Sequence, residues 1–348
     1  MKNKLLIGVI TFFATIFLMI LVLNLIDSES KKTFTFDRKF NSSNNVLKFD
    51  KVFNKINKAD NVMFVNSDNY LVERDIENID DNNNKYQLYF RDLNFKNKEN
   101  LNAVLPKGAN LLFCNLDKII FTKNFNLFEY SFKSNKINLI EFDGLKITSL
   151  KPILNSETKF LCLAEYHNNK DFKTGFYIVD FDTKEIKNSV DLETNKIERF
   201  LPNSLRYIGE FSNNKEKNII SYCCEKYSRI FFFNNEGMFI KELETEDKVP
   251  LPKIAENNEG NNFYSRDGTW YSNMGLFIKN NSVFVFSAAT EEKTYISIDE
   301  YSFDKLNYTQ SYKLDCKGMN SNNITSVQHI KNELIICFDY NYASFKIL

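Results

Sequence analysis

Beyond residue 45 the chain consists of short apolar runs separated by polar turns, and a 3.6-residue period is almost absent. Runs of this kind, rich in Phe, Tyr, Ile and Val, predict β-strands. One pattern recurs: an aromatic strand, a turn and a second strand. It reads "LYFRDLNFKNKENLN" from Leu88, "EYSFKSNKINLIEF" from Glu129, "FYIVDFDTKEIKNSV" from Phe176 and "IFFFNNEGMFIKEL" from Ile230. It returns as "DEYSFDKLNYTQSYKL" from Asp299 and "YASFKIL" from Tyr342. Each copy follows its own apolar pair, such as "NLLFC" with "KIIFTK" or "MGLFIK" with "SVFVFSA".

Strand–turn–strand–loop–strand–turn–strand at a period of about 40 to 70 residues is the signature of a β-propeller blade. Six such units predict an all-β, six-bladed β-propeller over residues 32–348. The last unit stops at Leu348 in its third strand, which leaves an open edge prone to pairing. "KTFTFDRKF", residues 32–40, is the spare strand expected to close the ring by pairing there. Two unrelated β-sandwiches are the competing arrangement, and they leave the spare strand without a purpose.

The hairpins "YIVDFDTKEI" and "IFFFNNEGMFIKEL" resemble those of bacterial six-bladed propellers of the TolB-like type. With its apolar N-terminus the whole is similar to a group of membrane-anchored exported bacterial propellers. The resemblance rests on strand pattern over residues 32–348. The repeated tryptophan motifs of quinoprotein-type propellers and the Gly-His and Trp-Asp signatures of the WD40 type are missing. It therefore implies a fold and a location, and no catalytic residue.

That N-terminal run is "LLIGVITFFATIFLMILVLNLI", 22 uncharged residues from Leu5 to Ile26. It is long enough to span a bilayer as a helix and longer than a signal-peptide core. The expected order is a cytoplasmic tail at 1–4, a transmembrane signal anchor at 5–26, a linker at 27–31 and the propeller. The propeller would then lie outside the cytoplasm, periplasmic or at the cell surface. Flanking charge alone argues the other way, since Lys31, Lys32, Arg38 and Lys39 outnumber Lys2 and Lys4. Large domains translocate largely regardless of it.

Composition narrows the chemistry. Lys plus Arg and Asp plus Glu are 45 each, a formal charge of zero, which argues against nucleic acid as a partner. Only 10 Gly and 5 Pro are present, so Asn has to supply the left-handed turn positions. Cys114, Cys162 and Cys337 lie in apolar runs, where cysteine behaves as a small hydrophobe. Cys223 and Cys224 are adjacent and would face opposite sides of a strand.

The longest connection, from about Thr245 to Asn273, holds "EGNNFYSRDGTWYSN" and the only tryptophan. Long connections are commonly functional or disordered, and disorder prefers few aromatics. Tyr264, Arg266, Asp267, Trp270 and Tyr271 are therefore the expected binding residues, with rings for area and Arg266 and Asp267 for directed contacts. The competing reading is a loop that pins its rings to the propeller's own face.

Metal and cofactor signals are weak. His167 and His329 lie outside any ligand spacing, and "DIENIDDNNNK" at 75–85 lacks the glycine and final glutamate of a calcium loop, so it reads as a solvated connection. No nucleophile elbow or phosphate loop is present. No cofactor and no metal are expected. The leading expectation is a binding or scaffolding module for a protein or small ligand at the loop face, held to a membrane by its N-terminal helix. The alternatives are an exported hydrolase or lyase using Glu165, Asp267 and Glu291 at the channel mouth, and an accessory to a membrane redox system.

Overall fold

The computed structural model describes residues 19, 34, 36–42, 46–54, 62–64, 70–80, 85–92, 98–106, 108–167, 171–196, 203–256, 262–265, 268–288, 295–315, 318–319, 324–330, 333–338 and 341–348. The chain divides into Met1–Thr35, of which only Met19 and Phe34 are described, and Phe36–Leu348, to which everything below refers.

Leu47–Asn54 is β1. Five four-stranded blades then follow, each from four successive strands paired antiparallel in sequence order. The first is Val62–Phe64, Tyr70–Asp80, Lys85–Asp92 and Lys98–Pro106 (β2 to β5). The second is Asn110–Cys114, Lys118–Lys123, Asn126–Ser131 and Lys136–Ile140 (β6 to β9). The third is Leu145–Pro152, Lys159–His167, Asp171–Asp180 and Ile186–Lys196 (β10 to β13). The fourth is Gly209–Asn214, Ile219–Cys224, Arg229–Asn234 and Phe239–Glu244 (β14 to β17). A small hairpin, Ile254–Glu256 and Asn262–Tyr264 (β18 and β19), interrupts the series. The fifth blade is Asn273–Lys279, Ser282–Ser287, Tyr295–Ser302 and Tyr308–Asp315 (β20 to β23). Ile324–Ile330, Glu333–Phe338 and Asn341–Ile347 (β24 to β26) form a further, composite four-stranded sheet with β1.

The fold is an all-β propeller, and its expected plan is corrected at the ends. The strand that completes the composite sheet is β1, paired from Leu47 opposite Ile347 to Asn54 opposite Asn341 with a register shift between Phe49 and Lys51. Of the expected closing strand at 32–40, residues 36–40 go elsewhere: Phe40 bridges Ser311 in parallel on the outer strand of the fifth blade. Buried apolar clusters fill the junctions between successive blades from the first to the fifth, and between the fifth and the composite sheet. The expected ring of six like blades is thus replaced by five self-contained ones and one spliced sheet.

The transmembrane anchor is corrected as well. Apart from Met19, the segment 5–26 lies outside the described residues, as do the 1–4 tail and the 27–31 linker. Among the described residues no helix is long and apolar enough to cross a membrane. The single-pass, extracytoplasmic placement is withdrawn on that finding.

The burial pattern explains the sequence pattern. Second and third strands are covered on both sides by neighbouring blades, so β15, "IISYCC", is buried at every position. Outer strands face solvent and alternate, as β17 does. Phe176 shows the packing at the third junction, with the rings of Tyr222, Phe231 and Phe233 centred 4.9 to 5.2 Å away. Burying such a ring contributes about 2–3 kcal/mol.

Cys223 and Cys224 do face opposite junctions, and among the described residues all five cysteines are buried and unbridged. Asn124, Asn135, Asn155, Asn218 and Asn280 take positive φ of 51 to 66°, filling turn positions that glycine usually holds. Asp75 to Asp80 belong to β3, which runs further into the acidic stretch than a solvated connection would.

Candidate functional site

The inner strands of several blades wall a cavity of about 610 Å³. Its lining comes from β6, β10, β14 and β24 together with the turn between β7 and β8 and the 3₁₀ turn Asn203–Tyr207. Most of the wall is apolar, with Leu111, Phe113, Ile147, Ile208 and Phe211 among the lining. A largely apolar pocket with a few convergent polar groups is the usual form of a small-molecule site.

Four of the polar groups, Ser149, Lys151, Glu210 and Gln328, come from three strands. A bulge between Ile147 and Ser149 resets the alternation of β10; Leu150 packs in the junction core, and Ser149, Leu150 and Lys151 all line the cavity. Glu210 stands on the adjacent inner strand, β14. Its neighbour Gly209 lets β14 press against β15: a Cβ there would lie 1.9 Å from the Cys223 carbonyl oxygen. Gln328 on β24 donates its amide to Glu210 Oε2 at 3.0 Å, across from the fourth blade to the composite sheet.

Burial governs the protonation of this set. It pushes the Lys151 ammonium down to about 8, opposed by the attraction of Glu210 and assisted by Lys215. It pushes the Glu210 carboxyl up to about 8, assisted by Glu225 and opposed by Lys151. At neutral pH the favoured state is thus a charged ammonium beside a protonated carboxyl.

The turn at the cavity's edge is strained. Asn124 and Phe125 both have positive φ, 51° and 63°, the geometry of a two-residue type I′ hairpin. Glycine is the usual second residue there; a phenylalanine costs about 1–2 kcal/mol in the left-handed region. The Phe125 ring is 55% exposed and borders both this cavity and a second one of about 530 Å³ beside His167. Backbone strain of this kind clusters at ligand sites in proteins generally.

Glu165, a carboxylate of the hydrolase or lyase alternative, is bonded within the fold. It is 2% exposed, and its Oε1 accepts both the backbone N–H and the hydroxyl of Ser204 at 2.9 Å. Thr148, a lining residue, donates to the Ser204 hydroxyl at 2.8 Å. Burial raises the Glu165 carboxyl while the Ser204 bonds oppose the rise. Glu165 therefore fastens the Asn203–Tyr207 turn to the cavity wall. Its proposed companions Asp267 and Glu291 lie outside the described residues.

The long connection closes over the same turn. Tyr264 donates its hydroxyl to the Leu205 carbonyl at 2.6 Å, and Arg206 reaches the Pro252 carbonyl at 3.1 Å and Glu193 at 3.0 Å. Tyr264 and Tyr271 face each other across Lys226, whose Nζ lies 4.6 and 4.4 Å from their ring centroids. Lys226 also pairs with Glu225 at 2.9 Å. Trp270 is half-buried and Arg266 lies outside the described residues.

The base of the connection is tied by Asp247, whose carboxylate accepts the hydroxyls of Ser228, Thr245 and Ser272 at 2.6 Å each. The aromatic content of the stretch is thus partly explained within the protein: two of its tyrosines clasp Lys226.

Sequence reasoning singled out the connection and missed Ser149, Lys151, Glu210 and Gln328. A charge inside an inner-strand run, as in "SLKPIL" and "YIGEF", was the available signal. On an innermost strand such a residue faces the channel rather than bulk water. Among the described residues no group of three or more His, Cys, Asp or Glu could hold a metal ion.

No protein-family model matches the chain, and no curated protein matches it either. Several solved structures are similar. A DUF4221-family protein from Bacteroides vulgatus is 10% identical, covering 88% of this chain and 99% of its own, with TM-score 0.48. An oligogalacturonate lyase from Vibrio parahaemolyticus is 11% identical over 89% of this chain and 96% of its own, with TM-score 0.42. A streptogramin B lyase is 12% identical over 86% of this chain and 97% of its own, with TM-score 0.39. The propeller assignment rests on this chain's own sheets, and these likenesses are no guide to activity.

Proposed function

We propose that the protein is a binding module that takes a small organic ligand in its central cavity, with the long connection shaping the loop face beside it. The observation that carries this reading is the convergence of Ser149, Lys151, Glu210 and Gln328 in one apolar-walled cavity of about 610 Å³. A rigid β scaffold holding a few polar groups among apolar walls supports binding and orientation. The aromatic hairpins that resemble TolB-like propellers fit the use of such a scaffold for recognition. Tyr264, Arg266, Asp267, Trp270 and Tyr271 would then form an outer surface for a larger ligand or a protein. The hydrolase or lyase alternative loses Glu165 to its bonds with Ser204.

The test is thermal denaturation of the purified protein against a panel of organic acids, amines, sugars and nucleosides. It is run in parallel on Ser149→Phe, which fills the cavity from β10. Compounds that raise the wild-type midpoint and leave Ser149→Phe unmoved are expected. Compounds acting equally on both proteins would place binding elsewhere, and a silent panel would remove the reading.

A further inference from the structure

We infer that the ligand of the central cavity is an organic anion, its carboxylate held by Lys151 and Ser149 and its apolar body laid toward Phe125. The inference rests on the cavity reading above and deepens it. Lys151 and Ser149 stand two residues apart on β10, so they share a face of the strand, and both line the cavity. Among the described residues the Lys151 ammonium makes no hydrogen bond and no ion pair within 4 Å, although Glu210 stands close enough to act on it. An ammonium has three donors, and those of Lys151 belong to a residue that lines the cavity.

Glu210 is differently placed. Among the described residues it is the only acidic member of the lining, as Lys151 is the only basic one, and its Oε2 already accepts the Gln328 amide at 3.0 Å. Burial and Glu225 favour its protonated form, which can donate a hydrogen bond to an anion. The cavity therefore presents the Lys151 ammonium, the Ser149 hydroxyl and a Glu210 carboxyl that favours its protonated form, three groups suited to a carboxylate, in a lining that also holds Thr122 and Thr148. The groups facing this pair are Lys215 for Lys151, Glu225 for Glu210, each of the two for the other, and the neutral Gln328.

The apolar walls exclude a free inorganic ion as the best occupant. Phe113, Ile147, Ile208 and Phe211 would strip water from any ligand, and only one with an apolar body gains from that. Phe125 at the lip adds an exposed ring, held in place at the cost of backbone strain.

The experiment measures octanoate, octanamide and octylammonium by titration calorimetry at pH 7 and pH 9.5. The proteins are wild type, Lys151→Met, Glu210→Gln and Ser149→Phe, each checked for folding by circular dichroism. Octanoate should bind wild type at least tenfold more tightly than either analogue, and lose at least tenfold between the two pH values. Lys151→Met should lose that preference, while Glu210→Gln, which keeps the ammonium, should retain octanoate binding at pH 7.

Equal binding of the three probes, or preference for octylammonium, would overturn the anion assignment and leave the cavity reading standing. An octanoate affinity unchanged in Lys151→Met would overturn the assignment of the charge. Silence of all three probes in wild type and Ser149→Phe alike would overturn both readings.

Discussion

Gln328 donates its side-chain amide to Glu210 Oε2 at 3.0 Å, joining the composite sheet to the fourth blade across the cavity. The bond satisfies a carboxyl that burial holds at about 8, so the cavity carries its protons differently from the same residues in an unfolded chain. This difference makes stability depend on pH. Glu210 starts from 4.5, so between 4.5 and about 8 the folded state binds a proton that the unfolded state lacks, and stability falls as pH rises. Lys151, lowered from 10.5 to about 8, has the opposite effect: its charge destabilises the fold below about 8, and the penalty fades as pH rises to 10.5. Glu210→Gln should therefore exceed wild type in stability at pH 8 by about 2 kcal/mol, discounted for the open cavity, with the gap closing near pH 4.5. Lys151→Met should gain at neutral pH and match wild type above 10.5. Urea unfolding across this range reads both, and a flat difference in either variant would refute the protonation scheme.

Phe125 sets stability against use. Phe125→Gly should stabilise the protein by about 1 kcal/mol, because glycine takes the left-handed position without strain. The same change should weaken octanoate by about fivefold through loss of the exposed ring. Chemical denaturation and calorimetry on one preparation test both halves. A variant that loses stability would show that the turn is not strained by its side chain.

Asp247 should be the least replaceable residue of the long connection. Asp247→Ala leaves the hydroxyls of Ser228, Thr245 and Ser272 without their shared acceptor, at a cost of about 3 kcal/mol. Trp270 lies two residues before Ser272 and is the only tryptophan, so its emission should shift to longer wavelength as the base loosens. Asp247→Asn, which keeps one acceptor, should fall between. Unchanged emission in the alanine variant would mean that Asp247 does not hold the connection.

Arg38 fastens the segment around Phe40 to the fifth blade. Its Nε and Nη2 meet Asp299 at 2.9 and 3.1 Å, and Nη2 also reaches Ser287 at 2.9 Å. The two side chains are only 6% and 4% exposed, so breaking the pair strands a buried charge. Burial holds the Asp299 carboxyl above its usual range in spite of Arg38. Arg38→Met should cost about 3 kcal/mol at neutral pH, and the deficit should shrink on acidification as Asp299 takes up a proton. Adding Asp299→Asn should recover most of the loss. Additive costs in the double variant, measured by denaturant unfolding, would show the pair to be uncoupled.

The blades were legible because covering a strand on both faces leaves a continuous apolar run, and each such run ends in a turn. "KIIFTK", "IISYCC" and "SVFVFS" became the buried second strands β7, β15 and β21. The ends were misread because two candidate strands competed for one edge. "LKFDKVFN" took the place beside β26, while Arg38 drew the earlier segment to Asp299, a side-chain pairing that no strand pattern encodes. The cavity was hidden for a related reason. Lys151 and Glu210 are more than fifty positions apart and meet only because their strands are the innermost of adjacent blades. Tyr264 and Tyr271 were visible as rings, but Lys226 between them was not, since nothing local links a lysine in one blade's turn to a later loop.

The splice between β1 and β26 also sets an order of assembly. Five blades can close from strands made in succession, each soon after its fourth strand leaves the ribosome. The composite sheet cannot, because Leu47 has to wait for Ile347 before it finds its partner. Until then β1 lacks the strand it pairs with, and that pairing closes a loop of almost three hundred residues. A chain cut short of β26 would leave β1 without its partner and with an adhesive edge.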